Sequence, residues 1–237
     1  MQGANGDGSL AGRVLVVEDD ADLREVMAGA LSADGHAVVA AADGEAALDA
    51  LATQRFDLVL LDIALGTGPD GVEVCRRLRR AGDDAHVVAV TARDAEADVV
   101  LALEAGADDY VAKPVGIAEL RSRVRAVLRR VHREGAPRAM LEHGALRLDA
   151  DARRAAVAGT ELALTYSEFE VLHALMRAEG RLQSRQQLLD AIFGGHEFRD
   201  PRAIDVHVHH LREKVAAAGG DPHAIVTVRG AGYRIGG

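Results

Sequence analysis

Five short runs of consecutive apolar residues alternate with stretches in which apolar residues return every three or four positions. The runs are Arg13 to Val17, Ala37 to Ala41, Phe56 to Leu61 closing on Asp62, Val87 to Val90, and Tyr110-Val111. A strand apolar on successive residues is buried on both faces, as in a parallel sheet covered by helices. Between the runs, Leu23, Val26, Met27, Ala30 and Leu31 recur at the helical period, and Gly35 ends that helix. Further helices are predicted from Gly44 to Gln54, near Val72 to Arg80 and from Ala95 to Ala105. A last one carries Ile117, Leu120, Val124, Val127, Leu128 and Val131 on one face. Strand and helix alternating over residues 13–132 predict an α/β domain with a doubly wound, five-stranded parallel sheet.

The pattern then changes. Residues 1–12 are Gly-rich and read as a disordered tail, and residues 133–141 read as a linker. From residue 142 to 237 the order is short strand-like runs over Ala145 to Leu164, then helices, then a hairpin. Two capping boxes are expected to open helices, Ser167 with Glu170 and Ser184 with Gln187. A third helix, Arg202 to Ala217, would bury Ile204, Val208, Leu211 and Val215. Ile225 to Ile235 reads as two strands around a Gly230-Ala231-Gly232 turn. This order predicts a smaller α+β winged helix-turn-helix domain.

Charge separates the two halves as well. Residues 1–130 carry 14 basic against 23 acidic side chains, and the remainder carries 14 of each. An acidic first half and a neutral, His-rich second half imply different partners. Lys113 and Lys214 are the only lysines, so each is more informative than a lysine usually is. The single cysteine, Cys75, excludes an intrachain disulfide and reads as core filler beside Val74 and Leu78. No apolar stretch reaches the roughly 18 residues that span a bilayer, which predicts a cytoplasmic protein without membrane contact.

Asp62 closes a buried strand and is followed by the turn Gly66-Thr67-Gly68-Pro69-Asp70-Gly71. Ligands of such sheets bind beyond the carboxyl ends of the strands. The Arg13 to Val17 strand should lie beside it, bringing Glu18 and Asp19 to the same edge. Three close carboxylates repel one another unless a cation intervenes, and oxygen-only ligands select a hard ion such as Mg²⁺. Thr91 and Lys113 end the fourth and fifth strands at that edge. A carboxylate, a hard cation, an ammonium and a hydroxyl together suit in-line attack on a phosphoryl group.

These residues carry a resemblance. Val16-Val17-Glu18-Asp19-Asp20, Leu60-Leu61-Asp62, Val90-Thr91-Ala92, Gly106-Ala107-Asp108-Asp109-Tyr110 and Lys113-Pro114 resemble the flavodoxin-like receiver domain of two-component response regulators. Leu164 to Glu170, Ile204-Asp205-Val206-His207 and Thr227 to Arg234 resemble the DNA-binding domain of the OmpR/PhoB family. The resemblance runs from about Arg13 to the C-terminus. It implies that Asp62 accepts phosphate from a cognate sensor histidine kinase, and that Glu18, Asp19, Asp62 and the Ala64 carbonyl hold Mg²⁺. Lys113 would contact the phosphoryl group, and Thr91 with Tyr110 would form the switch. Asp108, Asp109, Glu119, Arg123 and Arg130 match the interface of the family's activated homodimer, with Val99 where Glu119 usually finds a basic partner. The family also usually has Pro near Gly66 and one residue fewer before Gly71, so the loop here is longer.

For DNA, the face of the Arg202 to Ala217 helix opposite the buried one carries Arg202, Val206, His209, His210 and Glu213. His207, Arg212 and Lys214 on the same helix and Arg229 on the hairpin complete the candidate contacts with double-stranded promoter DNA. Histidines stand where arginines are common, so affinity should be modest and pH-sensitive. A metal site at His207, His209 and His210 is disfavoured, because this spacing spreads the rings and cysteine ligands are absent nearby. The segment Phe193 to Asp200 resembles the loop through which relatives touch RNA polymerase. The expected function is a DNA-binding response regulator, not an enzyme. A haloacid-dehalogenase-like phosphatase needs a second Asp two residues after the first, and position 64 is Ala. The other alternative is a phosphorylation-independent receiver with a protein-interaction output.

Overall fold

The computed structural model describes the main chain of residues 11–92, 96–131, 140–193 and 201–236; the side chains at 96, 97, 129–131, 193 and 202 lie outside the description. The expected tail before Ala11, most of the linker, the segment 194–200, and the side chains of Arg130 and Arg202 therefore fall outside the described residues.

The first unit runs β1 (Arg13–Val17), α1 (Ala21–Ala33), β2 (Ala37–Ala41), α2 (Gly44–Thr53), β3 (Leu58–Asp62), α3 (Gly71–Arg80), β4 (His86–Ala92), α4 (Glu96–Glu104), β5 (Asp109–Lys113) and α5 (Ile117–Val131). The strands form one sheet in the order β2-β1-β3-β4-β5, every neighbouring pair parallel. Successive strand residues go to opposite faces, and both faces are covered. Leu15, Val17, Val59, Leu61, Val87 and Ala89 enter one core, and Val14, Val16, Leu58, Leu60, Val88 and Val90 the other. This is why the strands read as unbroken apolar runs. Asp20, Asp43 and Asp70 cap α1, α2 and α3, each accepting from the amide three residues on.

Two expectations are corrected here. Val26 is 52% exposed, so the buried stripe of α1 narrows to Met27 and Leu31 with Leu23 partly covered. β4 and β5 are longer than their apolar cores, because the buried polar residues His86 and Asp109 open them and Thr91-Ala92 and Ala112-Lys113 close them.

The second unit opens with the antiparallel strands β6 (Met140–His143), β7 (Leu146–Asp149), β8 (Arg154–Val157) and β9 (Thr160–Glu161). Then come α6 (Tyr166–Arg177), β10 (Gln183–Ser184), α7 (Arg185–Phe193), α8 (Arg202–Ala217), β11 (Ile225–Val228) and β12 (Gly232–Ile235). The last three strands pair antiparallel as β10-β12-β11. Leu148, Phe169, Leu172, Leu188, Ile204, Val208, Leu211 and Ile235 share its core. Ser184 and Gln187 exchange the two bonds of a capping box. The box at α6 differs from the expected one: it is Thr165 with Glu168, two residues earlier than Ser167 with Glu170. Ser167 is thereby placed inside the first turn, and its amide is free to bond outside the helix.

That bond crosses between the units. The Ser167 amide donates to Asp108 Oδ1 at 2.8 Å, and its hydroxyl donates to the Asp108 carbonyl at 3.2 Å. His86 meets the Tyr166 ring edge-on with centroids 4.8 Å apart, and Arg153 lies over Tyr166 at 4.3 Å.

Candidate functional site

β1 and β3 are adjacent, with Val17 opposite Leu61, so the residues following them emerge side by side. Glu18, Asp19 and Asp62 each bring a carboxylate oxygen within 4.8 Å of the others. Lys113, ending β5, reaches over β4 and donates to Asp62 Oδ2 at 2.7 Å and to Glu18 Oε1 at 2.8 Å. Asp62 Oδ1 accepts the Ala64 amide at 3.0 Å, and Asp19 Oδ2 accepts the Gly66 amide at 3.2 Å.

The electrostatics follow from burial. Glu18 is fully buried, and that burial raises its carboxyl above the ordinary range against the lowering effect of Lys113. Burial pulls the Lys113 ammonium down, but its bonds to Asp62 and Glu18 outweigh this and hold it above the ordinary value. Glu18 Oε2 is buried with no hydrogen-bond partner among the described residues. That orphan, beside two further carboxylates, fits a hard divalent ion.

A Cβ at Gly71 would lie 2.1 Å from the Asp62 carbonyl, so only glycine lets α3 start there. Gly68 takes φ +73° in the same turn, a conformation that glycine adopts without strain. Thr91 is buried at the end of β4, and its hydroxyl donates to the Ala92 carbonyl at 3.0 Å. Tyr110 is half-buried on β5 and packs against the core on the α3 side of the sheet.

The remaining candidate residues divide in two. At β5 and α5, Arg123 bonds Asp109 at 3.1 Å and Glu119 at 2.7 Å, so Glu119 has a basic partner on its own helix, Val99 notwithstanding. Asp108 is fully buried, held by Arg79 at 2.7 Å, by the Val87 amide at 2.9 Å and by Ser167. On α8, His209 is exposed and Val206 partly so, whereas His207 is 1% exposed. His210 lies 3.6 Å from Glu168, which also takes Lys214 at 2.6 Å. Arg212 bonds the Ile225 carbonyl and the Thr227 hydroxyl, and Arg229 is exposed at the hairpin turn.

Sequence reasoning missed Arg79, which ties the Asp83, Ala85 and Gly106 carbonyls to Asp108. A run of arginines on α3 gave no sign which of them turned inward. Cys75 is buried against the Ala105 carbonyl, and burial pushes its thiol up to about 11, consistent with a packing role.

Comparison with known proteins agrees with this geometry. Residues 14–125 match the family described as response regulator receiver domain, and residues 159–235 that described as transcriptional regulatory protein, C terminal. The chain is 42% identical to the sensory transduction protein RegX3 of Mycobacterium tuberculosis, covering 94% of this chain and 98% of the relative. It is 44% identical to the transcriptional regulatory protein AfsQ1 of Streptomyces coelicolor, over 94% and 97%. A solved RitR mutant superimposes with TM-score 0.74 at 25% identity, over 94% of this chain and 98% of that one. Receivers hold Mg²⁺ at an acidic pocket, and this chain has an acidic cluster there. The two domains imply a sensor kinase and promoter DNA as partners. Among the described residues, no helix is long and apolar enough to cross a membrane. With both domains matched in order and close relatives spanning nearly the whole length, the chain belongs to the DNA-binding two-component response regulators of the OmpR/PhoB type, which are transcription factors rather than enzymes.

Proposed function

We propose that Asp62 is the phosphoacceptor, and that its modification by a histidine kinase controls promoter binding by the second domain. The observation that supports this most is the Lys113 ammonium held between Asp62 and Glu18 with a third carboxylate alongside. An Asp62 carboxylate oxygen forms the new O–P bond while the P–N bond to the donor imidazole breaks, its electron pair leaving on the nitrogen. Lys113 passes from the Asp62 carboxylate to a phosphoryl oxygen. Glu18, Asp19, Asp62 and the Ala64 carbonyl are the residues that would hold Mg²⁺, which when bound neutralises charge on the transferred group. The Thr91 hydroxyl turns from the Ala92 carbonyl to the new acceptor, and Tyr110 moves into the space released.

Dimerisation through the β5 and α5 face, using Asp109, Glu119, Arg123 and Arg130, and Asp108 once it has left Ser167, then brings two α8 helices to paired half-sites. Linked in this way, weak single-domain binding gains effective concentration. Val206, His209, His210, Arg202 and Arg229 are the assigned DNA contacts, with His207, Arg212 and Lys214 on the same helix. The segment Phe193 to Asp200 is assigned to RNA polymerase, and the cytoplasm is the compartment in which these partners meet.

Intact mass after incubation with Mg²⁺ and a small phosphoryl donor tests the central step. One added phosphoryl group that disappears in Asp62→Asn and with chelator is the expected result. An adduct that survives in Asp62→Asn, or none from a range of donors, overturns it.

A further inference from the structure

His207 sits on the helix assigned to DNA, yet it is 1% exposed and lies close to Asp108 of the receiver. Its neighbour across the interface is the Asp108 carboxylate, which holds the first turn of α6 through the Ser167 amide. One receiver residue thus grips two helices of the DNA-binding domain. We propose that Asp108, Ser167 and His207 form an interdomain latch released by protons: protonation of His207 undocks α8 from the receiver and charges the same face that meets DNA phosphates.

The charge balance of the interface supports a histidine as the trigger. Asp108 is neutralised by Arg79, with His86 3.8 Å away on β4, and Glu168 is neutralised by Lys214. His210 also faces this cluster, and α4, which packs on α8, carries Asp98 and Glu104. With both buried carboxylates already paired, a proton on His207 adds an uncompensated charge. Among the described residues His207 Nε2 is buried without a hydrogen-bond partner, so the added N–H would find no acceptor there in the docked state.

The sign is set by burial, which holds His207 below its ordinary value of 6.5, against the raising effect of Asp108 and Glu168. A group depressed in the docked state favours docking above its undocked value and loses that contribution as pH falls below it. The latch is closed above about pH 6.5 and weakens as the solution is acidified from there. The consequence for DNA rests on the proposed reading of α8, whereas the latch itself does not, so the two can fail separately.

The test is small-angle X-ray scattering of the full chain from pH 8 to pH 5.5, without phosphoryl donor or DNA, with circular dichroism recorded on the same samples. The radius of gyration should rise by roughly 3 Å or more below about pH 6.5, as expected when two bodies of this size separate, with the helical signal unchanged. Ser167→Arg, which places a cation against Arg79, should be expanded at every pH and supply the open reference. His207→Gln should lose the pH step. A wild-type chain compact throughout the range, a step retained in His207→Gln, or expansion accompanied by loss of helix overturns the proposal.

Discussion

The Nζ of Lys113 stands 2.7 Å from Asp62 Oδ2 and 2.8 Å from Glu18 Oε1, so a single ammonium screens two buried carboxylates from each other. Lys113→Met removes it and leaves Glu18 and Asp62 facing across the pocket. Breaking a buried pair costs roughly 3–5 kcal/mol, and the 28% exposure of the Lys113 side chain brings the expected loss nearer 1–2 kcal/mol. A divalent ion should restore more in this variant than in the wild type, since it takes over the lysine's screening. Thermal unfolding with chelator and with Mg²⁺ compares the two; no Mg²⁺ shift in either chain would count against a cation site here.

Asp19 separates metal binding from stability. Unlike Glu18 and Asp62 it is exposed, and its carboxylate accepts the Gly66 amide at 3.2 Å. Asp19→Asn should leave unfolding in chelator within about 0.5 kcal/mol of wild type, as for most surface substitutions. The Mg²⁺-dependent rise in Tm should fall sharply, because a neutral amide is a poorer ligand for a hard ion. A full Mg²⁺ shift in Asp19→Asn would remove it from the ligand set.

The receiver's sheet was legible because both faces are covered, which writes each strand as a continuous apolar run. The acidic pocket was legible for a related reason: Glu18, Asp62 and Lys113 each follow or end such a run, and parallel strands deliver their ends to one edge. What the sequence hides is long-range. Ser167 and Glu170 satisfy the capping pattern as well as Thr165 and Glu168 do, and the choice is made by Asp108, some 60 residues away in sequence, which takes the Ser167 amide. His207 likewise shares a helix with DNA-facing candidates, and the sequence pattern does not show that it is buried beside Asp108 and Glu168. Val26 shows the converse: the period admits it to the core stripe, but among the described residues it is left 52% exposed.

Arg79 should matter far more than its neighbours on α3. It donates to the carbonyls of Asp83, Ala85 and Gly106 and to the fully buried Asp108 carboxylate. Arg79→Ala strands that charge and three carbonyls together, for an expected loss of about 3–5 kcal/mol. Arg77→Ala, which breaks only an exposed pair with Glu73, should cost under about 0.5 kcal/mol. Urea midpoints of the two variants provide the comparison, and similar values would show that the Arg79 network carries little of the fold.

Recognition by α8 should be limited by charge. The His209 side chain is 68% exposed and lies 3.4 Å from Glu213, so an acidic group stands beside this position on the face offered to DNA. His209→Arg adds a permanent cation at the same position. Its effect depends on what the residue meets. A phosphate contact would tighten binding to all duplexes and steepen the dependence of log K on log salt by about 1. A base contact would instead raise discrimination between promoter and unrelated DNA by about 1–3 kcal/mol with little change in slope. Gel-shift titrations of both duplexes at several salt concentrations distinguish these. Unchanged affinity and unchanged slope for both would take His209 off the DNA face, and with it the assignment of this side of α8 as the reading surface.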